Sequence, residues 1–429
     1  MAPRTLTVLA PIRPGEDRPL RAILRAIGDD IRGKRLDDEA IPPRIEFLSS
    51  RRIHFARFAI LADPDRGPDR RRLLYSASYD GDLNGHLAEL KAITSDLDAI
   101  WGRCEGYAGA AGFEGFIRTH MHAAEAFYIA FRDETADSIR KASALRRQVE
   151  ALADGNAPAL DSVTTPRSAW RPSSWLDRLI RALPLVVDLF RAIRRCGLVN
   201  VVRGALHIVA SLNRYPLFRV LNRLTRNAMS PRRSPYSNVS LDNCAAPEPL
   251  EPGDEVTADM DHQPSPAFRE DVVAQNQLTL ITVVKPGHVS QVRAVMAAID
   301  SYAKRLSPPG SLIGVSTIHF VKWLLIDDGR RLLMVSDYDG SWESYIDEFA
   351  QMILSGLDAI WTPSYGYPPD GARDLPALKR FLRTHQAPSE VFFSAYPNQT
   401  LLNIVNDRAF ARTHTGGPLD SRRGLPDPR

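Results

Sequence analysis

Apolar residues run along this chain in two alternating periods, and the same succession occurs twice. LTVLAPIRPG (6–15) and LTLITVVKPG (278–287) each read as a strand. After the first, Leu20, Ile23, Leu24 and Ile27 fall at helical spacing. RRIHFARFAI (51–60) matches STIHFVKWLL (316–325), and RRLLYSASYDG (71–81) matches RRLLMVSDYDG (330–340), so each copy predicts a hairpin. In the second copy Asp328-Gly329 supplies residues suited to the positive φ of a two-residue turn. A long helix is then expected from Trp342 to Ile360, with Tyr345, Phe349, Met352, Ile353, Leu357 and Ile360 on one face. FIRTHMHAAEAFYIAF aligns with FLRTHQAPSEVFFSAY, whose segment Val391 to Tyr396 reads as a closing strand.

The order β-α-β-β-α-β is that of a ferredoxin-like unit, whose sheet carries helices on one face and leaves the other open. Two such units in one chain can press their open faces together, and this explains the duplication. The expected fold is therefore α+β, with tandem ferredoxin-like repeats at 1–150 and 278–410 forming an intrachain dimeric α/β barrel.

The hairpin also fixes a face. With Asp328 and Gly329 at the turn, His319 is expected opposite Tyr338, Val321 opposite Ser336 and Trp323 opposite Met334. His319, Trp323 and Tyr338 would then share one side, matched by His54, Phe58 and Tyr79. Imidazole and phenol on one face suit general acid/base work, or else a histidine packed and bonded in the core. Asp80 and Asp339 stand where a carboxylate caps the following helix or acts chemically. Arg118-Thr119-His120 and Arg383-Thr384-His385 suit a helix C-terminus, where cations complement the dipole. His120 and His122 lack the spacing of a metal motif.

The region between the copies differs from both. Residues 167–233 hold fourteen arginines, no lysine, and only Asp177 and Asp188 as acids. Leu176, Leu179, Ile180, Leu183, Val186, Val187 and Phe190 recur at helical spacing with arginines largely opposite. Basic amphipathic helices of this kind suit an anionic membrane surface, a helical subdomain packed on the repeats, or nucleic acid. The membrane is expected, because such apolar faces exceed what phosphate binding needs. Residues 234–277 read as a flexible acidic and Pro-rich linker, and 411–429 as a disordered tail.

Composition adds limits. The chain has 429 residues, a formal net charge of +4 and three scattered cysteines, which points to neither a disulfide framework nor a cysteine metal site. The N-terminus lacks a secretory pattern and no 18-residue apolar run occurs, so a cytoplasmic protein, peripherally associated with membrane, is expected. Nucleotide-binding glycine motifs, GxSxG and the RNP1 pattern are absent, so no specific nucleic acid is expected.

On element order, and on Tyr79-Asp80-Gly81 and Tyr338-Asp339-Gly340, the sequence resembles the dimeric α/β-barrel superfamily, distantly the dye-decolourising peroxidases. The resemblance implies an oxidoreductase with the second copy as the working half. His319, Tyr338, Asp339 and Arg383 are the corresponding catalytic candidates, with His385 as the haem-iron ligand. The expected activity is haem-dependent and peroxidase-like, on a small apolar or lipid-derived molecule. The alternative is a non-enzymatic, membrane-associated binding or scaffold protein in which the repeated residues serve the fold.

Overall fold

A computed structural model describes residues 3–33, 44–153 and 274–415. The basic segment 167–233, nearly all of the expected linker, and residues 416–429 of the expected tail lie outside the described residues.

The first copy comprises β1 (Pro3–Pro11), α1 (Asp17–Ile31), β2 (Ile53–Ala62), β3 (Arg71–Asp80), α2 (Leu83–Ile93), α3 (Leu97–Trp101), α4 (Phe113–His120), β4 (Ala126–Ile129) and α5 (Ala136–Ala153). The second comprises β5 (Gln275–Val283), α6 (Val289–Arg305), β6 (Ile318–Ile326), β7 (Arg331–Asp339), α7 (Trp342–Met352), α8 (Leu354–Trp361), α9 (Leu375–Thr384), β8 (Val391–Ser394) and α10 (Leu401–Thr415). Thus β5 starts inside the stretch read as linker, and α10 extends past residue 410.

The architecture is α+β, with two antiparallel four-stranded sheets ordered β1-β3-β2-β8 and β4-β6-β7-β5. Each copy therefore sends its closing strand to the other copy's sheet: β8 pairs with β2, and β4 with β6. The segments that cross over are bonded at both ends. His122 N–H donates to Thr7 O of the first sheet and Glu125 N–H to Trp323 O of the second. In the mirror crossing, Ala387 N–H donates to Thr279 O and Glu390 N–H to Phe58 O. The crossing segments thus bond β1 and β6 at one seam and β5 and β2 at the other, covering part of the strand sides that would otherwise be open.

The long helix expected from Trp342 to Ile360 is two helices. Ile353 leaves helical geometry at φ −136°, ψ 40°, which separates α7 from α8. In copy one Asp96 starts the second piece by accepting from Ala99 N–H, so the break is built into both copies. The β6–β7 connection also differs from the expected two-residue turn. It spans Asp327 to Arg330, with Asp327 and Asp328 both at φ 55°. Asp327 is held there because its carboxylate takes two hydrogen bonds from Arg72 of the other copy, at 2.7 and 2.8 Å. Reciprocally, Arg331 bonds Asp65 of copy one at 2.8 Å.

Between the sheets, Leu9, Ala59, Leu61 and Leu74 pack against Leu324, Ile326, Leu333 and Val335 as an apolar band. Each leucine, isoleucine or valine of this band contributes about 1.5–3 kcal/mol when fully buried. The helix-facing sides bury Phe58, Tyr75 and Trp101 in one copy and Trp323, Tyr338 and Tyr345 in the other. No helix among the described residues is long and apolar enough to cross a membrane.

Candidate functional site

His54 and His319 each sit in a β-bulge. The β2–β3 register shifts between Ile53 and Phe55, and the β6–β7 register shifts between Ile318 and Phe320. The extra residue re-aims the side chain. Val321 lies opposite Ser336 and Trp323 opposite Met334 as expected, but Tyr338 lies opposite Ile318. The expectation that His319 and Tyr338 share a face is thereby corrected. Tyr338 points to the helices and stacks on Tyr345 at 3.9 Å, while His319 turns between the sheets.

There each histidine meets the aspartate at the end of the next strand. His54 Nε2–H donates to Asp80 Oδ1 at 3.0 Å, and His319 Nε2–H to Asp339 Oδ1 at 2.7 Å. The second carboxylate oxygen of each aspartate accepts the first backbone N–H of a helix, Ala136 of α5 for Asp80 (2.8 Å) and Leu401 of α10 for Asp339 (2.7 Å). Expected as caps of the helices that follow them directly, these aspartates instead anchor helices further along the chain; Asp82 and Ser341 cap α2 and α7.

The two dyads meet in one cluster. His54 lies 5.2 Å from Phe320, and His319 lies 5.3 Å from Phe55 and 6.0 Å from Tyr396, measured between ring centres. The Tyr396 hydroxyl donates to His54 Nδ1 at 2.9 Å. Burial and the nearby carboxylates of Asp80, Asp337 and Asp339 hold the phenol well above its usual pKa, so it stays a donor. Copy one carries Phe131 at the position of Tyr396. Both histidines are 1 % exposed, and both nitrogens of His54 are spent on protein partners.

One strand step further along lies a group not anticipated from the sequence. Arg57 of β2 crosses to the second sheet and donates to Gln277 Oε1 (2.9 Å), Leu278 O (3.1 Å) and Ser336 O (2.9 Å), and to the Asp337 carboxylate. Lys322 of β6 crosses the opposite way to Thr5 Oγ1 (2.5 Å), Leu6 O (3.1 Å) and Ala77 O (3.3 Å). These acceptors correspond position by position in the aligned copies, except that Ser78 stands where copy two has Asp337. Desolvation brings the Lys322 amine down to about 7, against the pull of Asp337. The signal was a cation at the same place in two otherwise apolar strands, HFARFAI and HFVKWLL.

Arg383 and His385 do not join His319 and Asp339. Arg383 bonds Glu343 at 2.9 Å and lies over the Trp342 ring at 3.6 Å, on the helix layer. His385 caps the C-terminus of α9, and its Nδ1–H donates to Phe381 O at 2.7 Å. The candidate catalytic set is thus split between the inter-sheet core and a helix end. His120 repeats the His385 geometry, with Nδ1–H donating to Phe116 O at 2.9 Å. Beside His120 opens a cleft of about 510 Å³ lined by Pro11, Arg66, Glu105, Gly106, Gly115 and Phe116 among others.

For haem, the relevant test is which imidazoles keep a nitrogen lone pair. His54 keeps none; His385 and His120 keep Nε2, because Nδ1 carries the proton given to a carbonyl. Burial also lowers the pKa of His385, which favours the neutral ring. Among the described residues, no cluster of three or more histidine, cysteine, aspartate or glutamate side chains is placed to hold a metal ion.

Comparison with known proteins finds no matching family model, no similar curated protein and no similar solved structure.

Proposed function

We propose that this chain is a non-enzymatic binding protein built as tandem ferredoxin-like repeats closed into an intrachain dimeric α/β barrel, which docks on an anionic membrane surface and holds a small apolar or lipid-derived molecule. One observation carries this reading: each histidine is bonded to its aspartate, His54 also to Tyr396, and the second oxygen of each aspartate holds the N-terminus of α5 or α10. Residues that anchor the starts of two helices serve the fold. Exchange of β4 and β8, with backbone bonds across both seams, supports the barrel. The membrane part rests on the basic amphipathic pattern of residues 167–233. Co-sedimentation with phosphatidylserine vesicles tests it: the full chain should pellet and a variant lacking 167–233 should stay in the supernatant. Equal pelleting of both would overturn the membrane part.

A haem-dependent, peroxidase-like oxidoreductase acting on an apolar or lipid-derived substrate is the second reading. It is favoured by His385, whose Nδ1–H is anchored on a backbone carbonyl as in iron-bound imidazoles. Haem would supply the redox chemistry, while His385 would fix its iron and Phe381 would orient the ring. The absorption spectrum of protein purified after growth with a haem precursor decides between the readings. A Soret band that disappears in His385→Ala supports the oxidoreductase; a flat spectrum supports the binding protein.

A further inference from the structure

The two copies are alike in the core and differ at the end of α4 and α9. Phe116 and His120 have counterparts in Phe381 and His385, and their rings pack alike, with centres 4.3 and 4.4 Å apart. Around these shared rings the linings diverge. Copy one has Gly115 where copy two has Arg380, and Glu105 where copy two has Tyr365. A Cβ built on Gly115 would meet nothing within 4 Å, so the glycine leaves open space. The loop before α4 is also shorter and richer in small residues, GYAGAAG against GYPPDGARD. The cleft beside His120 is therefore a product of divergence, not a by-product of the repeated fold.

Its lining has a definite chemistry. Pro11, Ala108, Gly112 and the edge of Phe116 give an apolar floor. The rim carries Arg66, whose guanidinium bonds Glu105 at 2.7 Å, while Arg70 bonds the other oxygen of the same carboxylate. Two guanidinium groups on one carboxylate leave one uncompensated positive charge. His120 adds a polar atom of fixed role: its Nδ1–H is given to Phe116 O, and Nε2 has no partner among the described residues. An apolar floor, a cation on the rim and an imidazole nitrogen thus line one open cleft.

We propose that this cleft binds a small organic carboxylate with an apolar body, its acid group at Arg66 and His120 and its body over Phe116 and the glycine floor. The proposal rests on the binding-protein reading and supplies the chemical class of its ligand. The neutral ring can share the proton of an undissociated acid through Nε2, and the protonated ring donates to the carboxylate.

Benzoate is the probe. Full-length chain labelled with ¹³C-histidine gives one Cε1–H resonance per histidine, and the His120 signal is the one missing from His120→Ala. Benzoate should shift that signal saturably, and Gly115→Arg, which installs the residue of copy two, should weaken the titration at least about ten-fold. Arg66→Gln should weaken it as well, and serves alone if Gly115→Arg does not fold. An unchanged titration in both variants, or no shift of His120 with benzoate, overturns the proposal. So does inorganic phosphate giving the same shift at the same midpoint, since attraction of any anion then suffices. Membrane co-sedimentation and the spectrum are independent of all these results, so loss of the cleft proposal leaves the parent reading separately testable.

Discussion

Arg57 and Lys322 occupy the same place in the two copies and reach past each other, each into the sheet of the other copy, where each is held by the equivalent backbone carbonyls. The reciprocity explains why a cation survives in the middle of two strands that are otherwise buried and apolar. Replacing the cation by leucine would remove all of these bonds across the two sheets at once. The side-chain acceptors differ: Arg57 has Gln277, Thr279 and Asp337, while Lys322 has Thr5, and Ser78 stands at the position equivalent to Asp337.

Arg57→Met should leave Asp337 charged and buried without its partner. Breaking a buried pair from one side costs about 3–5 kcal/mol. The double variant Arg57→Met with Asp337→Leu should recover a large part of that loss, because the uncompensated charge is gone. Urea unfolding of the single and double variants measures both values, and equal loss in the two would mean the pair is not coupled.

Lys322 gives a pH dependence of known sign. Its folded pKa is depressed from 10.5 to about 7 by burial, so between those values the unfolded chain holds more protons than the folded one. The contribution of this group to stability is lowest below pH 7 and rises as pH increases through the window. Three oxygens on the ammonium oppose the shift, so the slope should stay below the ~1.4 kcal/mol per pH unit of one full proton. Lys322→Met should flatten the slope, and Ser78→Asp, which restores the missing carboxylate, should flatten it by raising the folded pKa. Unfolding midpoints between pH 7 and 10 read this out.

What was legible in the sequence follows from which features periodicity encodes. Strand and helix faces repeat with fixed periods, so the pairing of Val321 with Ser336 and Trp323 with Met334 could be counted out from the turn. A bulge adds one residue without altering composition, and for that reason the count failed at His319, where it mattered most. The four-residue turn was hidden likewise, since Asp327 adopts φ 55° to serve Arg72, a residue of the other copy. The helices α5 and α10 went unread, although Thr135 and Thr400 stand before each as capping residues: Thr135 Oγ1 accepts from Ser138 N–H and Thr400 Oγ1 from Asn403 N–H. His319, Asp339, Arg383 and His385 stand out in the sequence because they recur, and recurrence in a duplicated chain marks what both halves need in order to fold as well as any chemistry they share.

Tyr396→Phe gives copy two the phenyl ring that copy one carries at the equivalent position, Phe131. One hydroxyl hydrogen bond is lost and a buried imidazole nitrogen is left unpaired, which costs about 1–3 kcal/mol. Asp339→Ala should cost more, because it frees both His319 and the first N–H of α10. Amide exchange in α10, followed at Leu401 to Asn403, should accelerate in Asp339→Ala and stay unchanged in Tyr396→Phe. If exchange does not respond to Asp339, the carboxylate is not the anchor of that helix.

Exchange of closing strands makes the strongest demand. Cut between the copies, the fragment 1–153 keeps β1, β2 and β3 but loses β8, so the outer side of β2 and the inter-sheet band of Leu9, Ala59, Leu61 and Leu74 are uncovered. Arg57 would lose Asp337 and every carbonyl it reaches, and Asp80 would keep His54 while His54 lost Tyr396. The fragment 274–429 is left in the reciprocal condition, with β6 unpaired on the side where β4 belongs. Each half alone should therefore lack a cooperative thermal transition or associate with itself, since an exposed edge and an apolar face both invite pairing. Mixed in equal amounts, the halves should form a one-to-one complex whose melting depends on concentration, as it must when two chains share one core. Analytical ultracentrifugation and circular dichroism of the separate and mixed fragments test this directly. Independent, monomeric folding of either half with a sharp transition would mean that the closing strands can return to their own sheets, and that the exchange is a choice of the full chain and not a requirement of its sequence.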